Sequence, residues 1–245
     1  MEVVGLVPAA GWAHRISPLP CSKEIFPVGF WTPKGGDGPR PKAAAHHLLE
    51  KMSRAGARKA VVVLRDGKWD IPGYFGGGEF LGMHLAYVMN RRPYGVPFTL
   101  DDAYPFYENS LVVFGFPDIV FKPDVTFEKL LEKRQASGAE LVLGIFPADC
   151  PQKMDMVRLD SQGRITEIDI KPRETDLRYT WLAAAWGPEL SEFMHAFVEK
   201  AAPEVAAAGG KWRGAEMYVG DVLREAIEAG MHVETVVFED GRYAD

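Results

Sequence analysis

The chain has 245 residues, 47% of them hydrophobic and 25% charged, with a net charge of −6. This suits one large domain that buries roughly 70–75% of its unfolded surface and needs no disulfide or metal to fold. The acidic balance, without any Lys/Arg block, excludes nucleic-acid binding through a broad cationic face, and no run approaches the 18 apolar residues of a membrane span.

The predicted elements alternate. Residues 2–8 read as a buried strand, apolar and β-branched. A loop follows at 9–23, then a helix over 41–56 that ends on Gly56. The segment Gly35-Gly36-Asp37-Gly38-Pro39 is a loop too short to separate domains. Strands are predicted at 58–64, 110–115 and 140–146, and helices at 79–91 and 123–137, the latter opened by Pro123 and closed by Gly138. Beyond 150 the texture changes to a hairpin over 153–171 that turns at Asp160-Ser161-Gln162-Gly163. A strand at 179–186, helices at 188–200 and 214–229 and a strand at 232–238 complete the chain. Trp181 and Trp186, five apart on a strand, are expected on opposite faces. Strand–helix alternation predicts a three-layer α/β domain with a mostly parallel sheet and an added hairpin.

In such sheets ligands bind beyond the carboxyl ends of the strands, where the 9–23 loop lies. Gly11 permits close approach of backbone to a ligand, and successive loop N–H groups can form an anion nest. Arg15 offers a planar fork for phosphate oxygens and Lys23 a movable point charge. The usual phosphate motifs are missing. Around Gly35–Lys42 prolines stand where a Walker loop needs donors, and "YFGGGEFLG" has Leu81 in place of a third glycine. The two cysteines, Cys21 and Cys150, form no CxxC; they fit a reducing compartment better than a zinc site. His46-His47 lacks a third ligand. The first residues have neither a basic region nor an apolar core of a signal peptide, so a cytoplasmic location is expected.

"LVPAAGWAHRISPLPCSKEIFPVG" (6–29) resembles the N-terminal signature of the sugar-1-phosphate nucleotidylyltransferases, with Ala10, Gly11, Arg15, Pro18, Leu19, Lys23, Pro27 and Val28 in register. Later blocks keep the family's order. "YVMNRRPYG" (87–95) resembles the block that reads the nucleotide base, "VVFGFPD" (112–118) and "DGRYAD" (240–245) the two that supply metal-binding Asp residues, and "IDIKP" (168–172) the one whose Lys holds the sugar phosphate. Departures are Gly11-Trp12-Ala13-His14-Arg15 in place of G-x-G-T-R, Asn90 in place of Gln, and Ile170 in place of Glu. A segment near 32–41 is inserted, and family members usually continue past the position of Asp245.

The resemblance implies a single Rossmann-like nucleotidyltransferase domain of the GT-A type with a mixed sheet over 1–245. Its nucleotide-binding half covers about 1–118 and its acceptor-binding half about 119–245. The implied reaction joins a nucleoside triphosphate to a sugar 1-phosphate and releases pyrophosphate. Arg15 and Lys23 would be catalytic. Ala10, Gly11, Trp12, Ala13, His14, Asn90 and Gly95 would bind the nucleotide. Lys171 would hold the acceptor phosphate, and Asp118 and Asp245 would hold Mg²⁺. Ile170 accepts no hydrogen bond, so sugar hydroxyls are expected to be read from the 179–186 strand. Two other readings stay open: a non-catalytic or regulatory homologue that binds a nucleotide or sugar nucleotide, and a cytidylyltransferase acting on a non-sugar phosphate such as phosphocholine. The sequence leaves oligomerisation open.

Overall fold

The computed structural model describes residues 1–33, 35–36 and 38–245; Asp37 of the predicted glycine-rich loop falls outside them. In chain order the elements are β1 (Val3–Ala9), β2 (Pro27–Trp31), β3 (Arg40–Ala43), α1 (Ala44–Arg54), β4 (Lys59–Leu64), α2 (Asp70–Phe75), β5 (His84–Met89), α3 (Val96–Asp101), β6 (Leu111–Gly115) and β7 (Val120–Lys122). There follow α4 (Thr126–Ser137), β8 (Leu141–Pro147), β9 (Asp155–Leu159), β10 (Ile165–Ile170), β11 (Tyr179–Trp186), α5 (Pro188–Ala207), α6 (Val219–Glu228), β12 (Val233–Val237) and β13 (Arg242–Ala244).

Nine strands form one mixed sheet. Its first half, β6-β1-β4-β5, is parallel throughout. β11 runs antiparallel to β6, β8 and β9 and so joins the two halves. β12 runs parallel to β8, and the β9–β10 hairpin forms the far edge. Strands covered on both faces must be apolar on both, which is why β1, β4 and β8 read as continuous apolar runs. Their side chains divide by parity: Leu141, Leu143 and Ile145 enter one core, Val142 and Phe146 the other. The first core packs under α3, α5 and α6; the second packs under α1, α2 and α4. The expected three layers are therefore present.

Four expectations need correction. Residues 79–91 do not form a helix. Gly78 and Gly82 take φ of 90° and 67°, in the left-handed region that interrupts a helix, and His84–Met89 is a strand. It pairs with β4 from Lys59↔His84 to Leu64↔Met89, an edge the local sequence does not reveal. The helix predicted from 41 starts only at Ala44, because Arg40–Ala43 pairs with β2 in a separate two-stranded sheet. The helix predicted from 214 starts at Val219, where the Asp221 carboxylate accepts the Tyr218 N–H at 2.9 Å. Trp181 and Trp186 lie on the same face. The register shifts between Trp181 and Ala183, so a β-bulge at Leu182 changes the parity, and both indoles pack beside Phe114.

Candidate active site

The parallel half of the sheet brings four strand ends to one rim, with Ala9, Leu64 and Met89 in mutual register. The segments that leave this rim are the 10–26 loop, Arg65, the 90–95 loop and Phe116–Asp118. The second half of the chain adds the base of its hairpin. Thr180 pairs with Met156 while Ala183 pairs with Gly115, which sets Asp155 and Lys171 close to the level at which β6 ends.

The structure brings Lys23 and Asp118 together: the Lys23 ammonium donates to the Asp118 carboxylate at 2.5 Å, both side chains partly buried. Gly11 lies directly over that ammonium, and a Cβ at Gly11 would stand 3.6 Å from it. Lys23 is fixed by its neighbours. The Ser22 N–H and hydroxyl both donate to Asp70 at 2.7 Å. Glu24, fully buried, accepts from the equally buried Lys68 at 2.5 Å. Neither anchor has a local sequence signal, because both partners are distant in the chain: Lys68 from the loop after β4 and Asp70 from the start of α2.

Between Gly11 and Arg15 the departures from the family signature have structural counterparts. Ala13, where the signature has its second Gly, takes φ of +56°. Its carbonyl accepts the N–H groups of Ile16 and Ser17 at 3.1 Å, so the loop turns back on itself. Trp12 is exposed, with the Arg65 guanidinium 4.0 Å from its ring and His14 stacked parallel to it at 5.9 Å. Ala10 begins this stretch as a half-buried residue.

Lys171 directly follows β10 with φ of +46°, and its ammonium stands 3.6 Å from the centroid of the Tyr218 ring. Burial depresses its pKa. Arg15 adds to the depression, while Asp155, Glu216 and Asp245 oppose it. Arg15 and Asp245 therefore lie within electrostatic reach of Lys171. Asp155 is a carboxylate with no local motif to single it out. Burial raises its pKa to about 6, Lys171 opposes the rise, and its Oδ1 is buried without a partner. Such perturbed groups concentrate at functional clefts.

Asp245 reaches the rim through a small second sheet, in which β13 pairs antiparallel with β7 as Arg242↔Lys122, Tyr243↔Phe121 and Ala244↔Val120. Continuing that register sets residue 245 opposite 119, beside Asp118. Asp118 pairs with the Lys23 ammonium, and Asp245 acts on the ammonium of Lys171; carboxylate oxygens are the donors a hard divalent ion takes. Asp101, His195 and Glu199 form a cluster with ligand atoms within 4.8 Å of one another, which includes neither Asp118 nor Asp245.

Asn90 follows β5. Its side-chain amide donates to Thr99 Oγ1 at 3.2 Å and Asp102 at 3.1 Å. Gly95 takes φ of +122° and forms a bridge with Met217; a Cβ there would lie 2.3 Å from the Met217 carbonyl oxygen. The bridge ties the 90–95 loop to the residue before Tyr218, and so links the two halves of the cleft.

No family model matches the chain. It is 21% identical over 238 residues to the low-salt glycan biosynthesis nucleotidyltransferase of Haloferax volcanii, across 96% of this chain and 60% of that protein. It is 22% identical over 247 residues to the glucose-1-phosphate thymidylyltransferase of Streptomyces antibioticus, with the same shares. Its structure superposes on a sucrose complex of a Bacillus anthracis protein assigned as a glucose-1-phosphate thymidylyltransferase, with a TM-score of 0.80 at 17% identity over 100% of this chain and 89% of that one. The chain has the fold of the sugar-phosphate nucleotidyltransferases. Its sequence resembles theirs along almost its whole length, and it spans 60% of the length of the two curated relatives. No helix among the described residues is long and apolar enough to cross a membrane.

Proposed function

We propose that this nucleotidyltransferase-like chain transfers a nucleotidyl group from a nucleoside triphosphate to a sugar 1-phosphate, giving an NDP-sugar and pyrophosphate. The observation that carries this is the Lys23–Asp118 pair under Gly11, at the rim that also holds Arg15 and Lys171.

A phosphate monoester has a second pKa of about 6 and is mostly dianionic at pH 7, so its oxygen needs no general base. That oxygen attacks the α-phosphorus in line. The bond from the α-phosphorus to the oxygen bridging it to the β-phosphate breaks, and pyrophosphate leaves with the electron pair. The obstacle is charge: two anions must meet, and more negative charge gathers on the leaving group. Lys171, stacked on Tyr218, holds the acceptor phosphate. Arg15, which among the described residues has no ion-pair partner, meets the leaving pyrophosphate. Lys23 rests on Asp118 until a triphosphate offers the ammonium a stronger partner. The loop from Ala10 to His14 turns its N–H groups to the phosphates, and Asn90 and Gly95 face the base. Asp118 and Asp245 would hold magnesium, which supplies further positive charge at the phosphates when bound. The two unpaired cysteines, Cys21 and Cys150, favour the cytoplasm.

Pyrophosphate release with Mg²⁺ over a matrix of nucleoside triphosphates and phosphorylated acceptors tests the proposal. Release with a sugar 1-phosphate supports it. Release with phosphocholine alone assigns a different acceptor, and nucleotide binding without release under any pairing makes the chain a binding homologue.

A further inference from the structure

One buried carboxylate gathers the donors at the start of the 90–95 loop. Asp102, the C-cap of α3, has a side chain with no exposed surface. It accepts from the Arg91 N–H at 2.6 Å, Asn90 Nδ2 at 3.1 Å, Arg92 Nε at 3.3 Å and the Arg92 N–H at 3.4 Å. Four donors from three consecutive residues thus meet one buried anion. Hydrogen bonds to an ionised acceptor are about twice as strong as neutral ones, and a buried charge persists only when paired in this way.

Asp101 extends the clamp. It accepts from Arg92 Nη2 at 2.5 Å and pairs with His195 Nδ1 at 2.7 Å, while Arg92 Nη1 donates to Glu199 at 2.5 Å. Asp101, His195 and Glu199 are close enough to share a metal ion, but the Arg92 guanidinium already bonds both carboxylates. Arg92 is the cation of this cluster, and its task is to fasten the loop to α3 and α5.

The consequence lies in the polarity of Asn90. An ionised carboxylate is an acceptor only, so the group Asn90 turns toward Asp102 must be its NH₂. Thr99 Oγ1 receives the same nitrogen. That leaves Asn90 Oδ1, which is not among the buried orphan atoms and accepts no bond from the described residues, as the atom free to read a base. We propose that Asp102 is a specificity-determining positioning residue: by fixing the Asn90 amide with its carbonyl oxygen outward, it selects a nucleobase with a ring imide N–H, uracil or thymine, over cytosine, whose N3 is an acceptor. This rests on the reading of the 90–95 loop as the base-binding segment. Facing a cytosine N3, the Asn90 carbonyl sets two acceptors against each other, and the mismatch leaves both unpaired.

Equilibrium binding of UTP, dTTP and CTP without acceptor, followed by pyrophosphate-release kinetics, tests the assignment on the whole chain. The wild type is expected to bind UTP or dTTP at least tenfold more tightly than CTP. In Asp102→Asn the residue at 102 can donate, which frees Asn90 to flip. The ratio should then fall to within about threefold of unity, the KM for UTP or dTTP should rise about tenfold, and kcat and the acceptor KM should stay within threefold. A merely structural role would not move the base preference. If Asp102→Asn does not fold, Asn90→Ala serves instead and should lose the discrimination to the same extent. A wild type that prefers CTP, or a base preference unchanged in either variant, overturns the proposal. Base discrimination that collapses in Asp102→Asn while no acceptor releases pyrophosphate would leave this assignment standing and remove the transferase reading alone.

Discussion

Replacing Lys68 with Met tests whether the 10–26 loop is held from the protein interior. Lys68 and Glu24 have side chains 3% and 1% exposed and meet at 2.5 Å. Burial pushes the Glu24 carboxyl above its usual pKa and the Lys68 ammonium below its own, and their mutual attraction opposes both shifts. At the surface such a pair contributes about 0–1 kcal/mol. With both partners this deeply buried the relevant figure differs: removing one strands the other, at about 3–5 kcal/mol. Met keeps the length of Lys and lacks its charge, so the loss is electrostatic rather than steric. The stranded carboxylate already has one buried oxygen, Oε2, without a partner. Total stability of a domain is about 5–15 kcal/mol, so Lys68→Met should remove a large part of it. Urea unfolding followed by tryptophan fluorescence at pH 7 measures the difference. The double variant Glu24→Leu/Lys68→Met should recover most of the loss, since an apolar pair of similar volume costs little in place of a buried ion pair. A loss below about 1 kcal/mol in Lys68→Met, or a double variant no more stable than the single one, would refute the reasoning.

Asp155, raised to about 6 by burial, binds a proton more readily in the fold than in the unfolded chain. The stability it contributes is complete below about pH 4 and is lost as pH rises through about 6, by at most ~3 kcal/mol. Wild type should therefore lose stability relative to Asp155→Asn between pH 4 and 7 in urea titrations, and parallel profiles would show that the carboxylate is not buried as described. Ala13 sits at φ +56°, where an L-residue with a Cβ is strained by roughly 1 kcal/mol, so Ala13→Gly should raise the urea midpoint; a fall would mean that the turn relaxes to another conformation. Lys171→Ala should raise the acceptor KM far more than the nucleotide KM, and the reverse split would move Lys171 to the nucleotide side. Asp118→Asn should abolish Mg²⁺-dependent turnover and Asp245→Asn should weaken it. Loss in the first variant alone would take Asp245 out of the metal site.

The sequence by itself determined the α/β alternation of the fold and drew attention to the loop that follows its first strand. β1, β4, β6, β8 and β11 are covered on both faces, so each had to be a short apolar run, and such runs show without knowledge of their partners. The loop after β1 was legible for a similar reason: Gly11, Arg15 and Lys23 are residue types that an anion site needs, set where a parallel sheet presents its ligands. Tertiary structure alone decided what depends on a distant partner. His84–Met89 became a strand because β4 offered it an edge. The two tryptophans of β11 share a face because a single-residue bulge at Leu182 shifts the register. Lys23 is aimed by Ser22–Asp70 and Glu24–Lys68, pairs separated by 48 and 44 residues. Asn90, the proposed base reader, follows β5 and turns its amide nitrogen to Asp102, twelve residues on and buried. Local sequence records which groups a chain possesses. Which way a buried polar group points is fixed by the charge that folding brings against it, because only folding removes the water that would otherwise satisfy either orientation.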